Sequence, residues 1–420
     1  MFGTLIKIDL HWQTRVAKLT RSFAIFSLAV VCCCASVLGT AYADGSNQPQ
    51  VATLQSIIKD TMKQYHLKAA IVQVRYNGQN LYTGAMGESM TGIPATPDMH
   101  FRNGAMAFAY MSTMLLELID EMPGQLSLDD KLSKFFPALP YADQTSLKNL
   151  ANMTSGYADY VYQPEIIHGT TLHPFKQWTD NELIQIGMSA PRMFDPGTNW
   201  GYAHTNYVIL GEVIAKITGM PLAAAMQKYI IDRMGLTQTQ SIDTPQIPDP
   251  VLHTFSSEQR QDLGIAADIP FYAESTFWNP SWTTAQGAVQ ITDITDFSRS
   301  MEQIATGALL SQTSWQAQVG PNLVGFGHAD PNCAVCRENT VANNYGLGVN
   351  NFGPWTAQAK SFAGSDASVG YLMSSKLTIA VEVTYKPEAF DSTGSHTDGS
   401  NAIFTALANA LAPGTLPATQ

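Results

Sequence analysis

The chain has 420 residues, a formal net charge of −11, 45% hydrophobic residues and only 14% charged ones. That length is enough for two or three lobes around a sizeable core, and with 31 Gly and 22 Pro the composition excludes a disordered or fibrous protein. The acidic balance and the lack of a basic run argue against a nucleic-acid partner.

Residues 1–43 read as a secretory signal. Arg15, Lys18 and Arg21 precede an apolar stretch over 22–39, and Ala41-Tyr42-Ala43 supplies a small-x-small cleavage pattern before Asp44. The expected product is exported, periplasmic or secreted, with no membrane partner after cleavage; an uncleaved anchor is the alternative. The spacing of Leu54, Ile57, Ile58 and Met62 predicts an amphipathic helix over 51–67. Strand-like runs over 69–76 and 80–83 flank Asn77-Gly78, which predicts a hairpin. A largely apolar helix follows over 105–121. Loops and helices then continue to about residue 281, among them a helix over 206–218 stopped at Gly219. Strand signals return over 361–374 and 376–385, and a last helix is expected over 401–411.

This order predicts an α+β fold: an antiparallel sheet flanked by helices and built from both chain ends, with a mainly helical lobe between. The expected division is 44–104 with 283–420 as the α/β lobe, and 105–282 as the helical lobe. Cys333 and Cys336 are spaced CxxC, and in an oxidising compartment they predict a local disulfide. Zinc would need two more ligands and only His328 is near, so neither metal nor cofactor is expected. Tryptophans 178, 200, 278, 282, 315 and 355 read as core or pocket walls, with an exposed interaction surface as the alternative.

Phe101-Arg102-Asn103-Gly104, the stretch 126–137, Leu147 through Gly156, Pro196-Gly197, Tyr207 through Gly211, Ala285 through Asp293 and Tyr345 through Gly348 follow one another in a telling order. With these landmarks the chain resembles the serine β-lactamase and D,D-peptidase-like family, in its class C and esterase-type branch. The resemblance runs from about Val51 to Leu411 and implies a β-lactamase/transpeptidase-like fold.

It also implies three catalytic motifs, each altered here. The S-x-x-K that carries nucleophile and proton acceptor on one helix face reads Ala105-Met106-Ala107-Phe108. A methyl group cannot attack a carbonyl, and a phenyl ring cannot take a proton. Y-x-N reads Tyr202-Ala203-His204. Tyr202 is kept, but a phenol of reference pKa near ~10 needs neighbouring cations to act as a base. K-T-G or H-x-G, expected on an edge strand, reads Phe362-Ala363-Gly364, so both cationic positions are phenylalanine. By position the oxyanion-hole N–H groups belong to Ala105 and Ser365.

Two functional readings follow. The first is a catalytically inactive relative that binds a small acyl, amide or peptidoglycan-like ligand at Ala105, Phe108, Tyr202, His204, Phe362, Gly364 and Ser365. The second is an esterase- or amidase-like hydrolase with rewired chemistry, in which His204 is the general base beside Tyr202. Ser112 lies two helical turns after Ala105, too far along the helix to replace the nucleophile.

Overall fold

The computed structural model describes residues 51–242 and 244–417; the expected signal segment lies outside them. Helix α1 (Val51–Gln64) turns Leu54 and Ile58 inward, and strands β1 (Leu67–Tyr76) and β2 (Gln79–Met90) follow. Asn77 and Gly78 both take positive φ, the conformation a two-residue hairpin turn demands. Short β3 (Ile93–Pro94) ends this part, and helices α2 (Met106–Glu121), α3 (Thr205–Thr218) and α4 (Ile294–Thr306) lie in the middle. The chain closes with β4 (Asn344–Tyr345), β5 (Asn350–Phe352), β6 (Trp355–Phe362), β7 (Ser365–Leu372), β8 (Leu377–Tyr385) and helix α5 (Gly399–Leu411).

These eight strands form one antiparallel sheet in the order β3-β2-β1-β8-β7-β6-β5-β4, so β1 from the beginning pairs with β8 from the end. The apolar run in β1 follows from burial on both faces. Ala70, Val72 and Val74 join a cluster with Ile58 of α1 and Ile403 and Leu407 of α5. Ala69 and Ile71, pointing the other way, join the cluster that holds α2, α3 and α4. That second cluster runs from β1 and β7 through α2 to Ile209 of α3, so the two expected lobes share a core.

Helix α2 is buried on every face from Met106 to Leu118, which is why its sequence lacks a polar stripe. A small sheet of Phe101–Arg102, Gln290–Thr292 and Gln240–Ser241 fixes the strand that leads into it. Trp178, Trp200, Trp278 and Trp355 are all buried, as core residues are. Among the described residues no single helix is long and apolar enough to cross a membrane.

Strand β6 was hidden in the sequence. Its buried face carries Gln358 and Lys360 where an apolar alternation would announce a strand, and the expected strand began only at 361.

Candidate active site

The entry to α2 is built by tight contacts. A Cβ on Gly104 would lie 2.4 Å from Lys360 Cγ and 3.3 Å from its Cα, so the helix start presses against the middle of β6. The first turn is closed by the N–H groups of Met106, Ala107 and Phe108, which donate to the carbonyls of Asn103, Gly104 and Ala105. No side chain caps it, since Ala105 stands at the cap position with nothing to offer.

One turn along, Phe108 is buried in a cluster of rings. It stacks on Tyr207 at 4.1 Å between centroids and meets Tyr202 at 6.0 Å and His204 at 5.7 Å. Tyr202 and His204 meet edge to face at 5.2 Å. Burial pushes the phenols of Tyr160, Tyr207 and Tyr345 up, with Asp159 adding to the shift at Tyr160, so these rings stay neutral. Ser112 is bonded to the Tyr207 hydroxyl at 2.8 Å within the core.

His204 stands at the cap of α3, yet its side chain turns away from the helix. Its Nδ1 lies 2.9 Å from Asp159 Oδ2, and the Asp159 side chain is 1% exposed against 24% for His204. Three further bonds tie the loop that carries Asp159 to the first residues of α3. Thr205 Oγ1 donates to the Ala158 carbonyl, the Tyr160 N–H donates to Thr205 Oγ1, and Ser155 Oγ donates to Asn206 Oδ1. The other Asp159 oxygen accepts from the Val161 N–H. A carboxylate on Nδ1 fixes the imidazole's orientation and tautomer. Asp159 was not singled out in the sequence; its only signal is its place three residues beyond Gly156.

The third motif is corrected by the register of the sheet. Phe362 and Ser365 face each other across a two-residue turn in which Ala363 has φ 41° and Gly364 φ 86°. Phe362-Ala363-Gly364 is therefore a hairpin end rather than a run of edge strand. Its turn packs on the short strand Phe255–Ser256: a Cβ on Gly364 would lie 1.9 Å from the Phe255 carbonyl oxygen. Phe362 stacks on Trp282 at 5.9 Å and lies under the Arg102 guanidinium at 5.4 Å, apart from the Phe108 cluster. Ser365 opens an interior strand, paired with Phe362 on one side and Thr384 on the other. It cannot line an edge cleft.

The part of β6 that passes the helix start is Gln358–Phe362, because β5 pairs only with Trp355–Ala357. Residues flanking a two-residue hairpin turn exchange both backbone bonds, so Phe362 and Lys360 bond to β7 while the N–H groups of Ala359 and Ser361 point to the open side. The Ala359 N–H accordingly meets the Gln358 side-chain oxygen at 3.1 Å. Ser361, with its N–H on that open side, is the neighbour of Lys360, which packs against Gly104 at the helix start. Lys360, also missed, is a buried cation whose Nζ lies 2.6 Å from Glu382 Oε1. Burial pushes the Glu382 carboxyl up to about 7 against the pull of Lys360, and burial likewise lowers Lys360 against the pull of Glu382.

The structure therefore brings together Ala105, Phe108, Tyr202 and His204, adds Asp159, Lys360 and Ser361, and removes Phe362, Gly364 and Ser365. Among the described residues no group of three or more His, Cys, Asp or Glu could hold a metal ion. A separate groove of about 570 Å³ between α1 and β2, lined by Gln55, Lys59 and Tyr82, shares no residue with this site.

A sheet joined from both chain ends, with a buried helix whose first turn abuts an open strand, is the β-lactamase/transpeptidase-like fold. The family model named Beta-lactamase matches residues 54–394, and the chain belongs to that family. Relatives include a beta-lactamase of Providencia stuartii, 26% identical over 190 residues that cover 44% of this chain and 46% of that protein. Esterase EstB of Burkholderia gladioli is 26% identical over 201 residues, 44% of this chain and 50% of the esterase. The chain spans about half the length of these relatives. Among solved structures, a D-stereospecific amidohydrolase from Streptomyces sp. aligns with TM-score 0.69 at 22% identity, over 87% of this chain and 100% of that one. A penicillin-binding protein from Bacillus halodurans aligns with TM-score 0.64 at 15% identity, over 83% and 98%. At such identities these two speak for the fold alone.

Proposed function

We propose that this protein has given up acyl-enzyme chemistry and binds a small, uncharged acyl or amide group, such as a cell-wall-derived compound, beside Ala105. The observation that carries the reading is Phe108 stacked on Tyr207, a closed aromatic contact at the position where the family resemblance implies a lysine. Removing a hydrolase nucleophile costs about 10⁶-fold in turnover, while oxyanion donors and binding survive. The N–H groups of Ala105 and Ser361 are backbone, so side-chain replacement leaves them in place. They suit a carbonyl oxygen. The rings of Phe108, Tyr202 and His204 suit an apolar neighbour. Relatives named penicillin-binding protein and D-aminopeptidase support an acyl or amide ligand class. We further propose export to the periplasm or beyond with cleavage after Ala43, which mass analysis of the mature N-terminus would check.

The test is twofold. A fluorescent penicillin and a fluorophosphonate should leave the purified protein unlabelled. Muropeptides or acyl amides should raise its melting temperature, as only a ligand of the folded state does. A covalent acyl adduct on any side chain of the cleft would overturn the reading.

One observation favours a second reading. The 2.9 Å contact of buried Asp159 with His204 is the arrangement of a general base held by a carboxylate. Here His204 Nε2 would take a proton from water as the water oxygen adds to a bound ester carbonyl. The developing oxyanion would rest on the Ala105 and Ser361 N–H groups. Aryl-ester hydrolysis that disappears in His204→Ala would establish this reading over the first.

A further inference from the structure

The loop 327–337 grips the residues that lead into Tyr202 at three points. The His328 N–H donates to Asn199 Oδ1 at 2.9 Å. The Arg337 guanidinium lies 4.2 Å from the centroid of the fully buried Trp200 ring, with its Nη1 donating to the carbonyls of Glu338 and Asn343. Cys336 forms an antiparallel backbone bridge with Gly201. A Cβ on Gly201 would meet Phe194 at 3.0 Å and Cys336 Sγ and Met193 Cε at 3.3 Å each, so the half-cystine lies directly on the glycine. Cys333 is disulfide-bonded to Cys336, and its Sγ touches Met193 Sδ at 3.6 Å. Both half-cystines are buried although Asn332 and Ala334 beside them are exposed.

We propose that the Cys333–Cys336 loop is a positioning device for Tyr202 and His204, set by the disulfide and released by a dithiol reductant. Tyr202 and His204 are one and three residues beyond Gly201, and His204 is the cap of α3. A segment pinned at Asn199, Trp200 and Gly201 therefore delivers both side chains to the Phe108 cluster without a secondary-structure element of its own. In the release step the Sγ–Sγ bond breaks and two thiols form. The reductant supplies two electrons and two protons and closes its own disulfide. The position of this segment matters equally to a binding cleft and to a general base at His204.

Hydrogen exchange on the full chain tests it, with and without dithiothreitol and in Cys333→Ser/Cys336→Ser. Amides over 199–204 should exchange about tenfold faster once the disulfide is gone, while those of α2 and β7 keep their rates. The His204 imidazole resonances should shift in the same samples. Arg337→Gln, which keeps the disulfide, should loosen the same peptide by a smaller factor. Unchanged exchange over 199–204 after reduction confirmed by mass would overturn the proposal. Equal acceleration in α2 and β7 would too, because it signals general destabilisation. If the serine variant fails to fold, the reduced native chain gives the same measurement.

Discussion

The Phe108 ring lies on Tyr207 with centroids 4.1 Å apart and planes 13° from parallel. This contact lines the first turn of α2 with rings, and it is part of the core as much as of the site. Phe108→Ala should cost roughly 3–4 kcal/mol in urea unfolding, from lost burial and a cavity between α2 and α3. The double variant Ala105→Ser/Phe108→Lys should be destabilised at least as much, since it places an ammonium among rings, and should remain silent on an aryl ester. Recovered hydrolysis would mean that the ring cluster yields easily to the arrangement the family resemblance implies.

Asp159 serves both His204 and the Val161 N–H, so its loss acts twice. Asp159→Ala should lower stability by about 1–3 kcal/mol through unpaired buried groups. Under the binding reading, the ligand-induced melting shift should shrink only as far as His204 moves. Under the hydrolytic reading, Asp159→Asn should lower kcat by at least about 10²-fold with KM little changed, because the base loses its orientation. Steady-state kinetics on an aryl ester separates the two.

Lys360→Met leaves Glu382 without its counter-ion in the core. Glu382 already has its folded pKa pushed up to about 7, and removing the cation raises it further. A carboxyl with a raised folded pKa weakens the fold as pH climbs past its ordinary value of 4.5, because the unfolded chain ionises freely. The variant should thus lose about 3–5 kcal/mol at pH 8 and clearly less at pH 5. Denaturant titrations at the two pH values check this, and a Lys360→Met/Glu382→Gln pair should recover part of the loss.

On the opposite face of the sheet His396 Nε2 lies 3.0 Å from Asp366 Oδ2, with Glu258, Asp398 and Tyr385 around them. Burial lowers the His396 pKa, but Asp366 and then Glu258 outweigh it and hold the imidazolium above its ordinary 6.5. Burial raises the Asp366 pKa, but His396 and then Tyr385 bring it below 3.8. The histidine's contribution is complete below pH 6.5 and is lost as pH rises through its raised value. The aspartate's is complete above 3.8 and is lost as pH falls through its lowered value. His396→Gln should accordingly cost roughly 3 kcal/mol between about pH 4 and 6.5, and the difference from the native chain should narrow at alkaline pH. A constant difference across the range would show that the pair's charge plays no part.

The sequence by itself determined the sheet's two ends and the buried helix. Apolar spacing in α1, β1, β8 and α5 reflects burial that depends only on period, and Ala105 and Phe108, where the resemblance implies serine and lysine, are plain in the letters. The tertiary structure decided the rest. Gln358 and Lys360 are polar because they meet Gly348 and Glu382 rather than water, so β6 carried no alternation and the third motif was read at a hairpin turn instead. Which of Ser361 and Ser365 faces the helix depends on hydrogen-bond register, a property of two strands and not of one. Asp159 reaches His204 across 45 residues of chain because four bonds fasten one loop to the start of α3. Pairings of that kind come from packing between distant segments, and no local pattern encodes them.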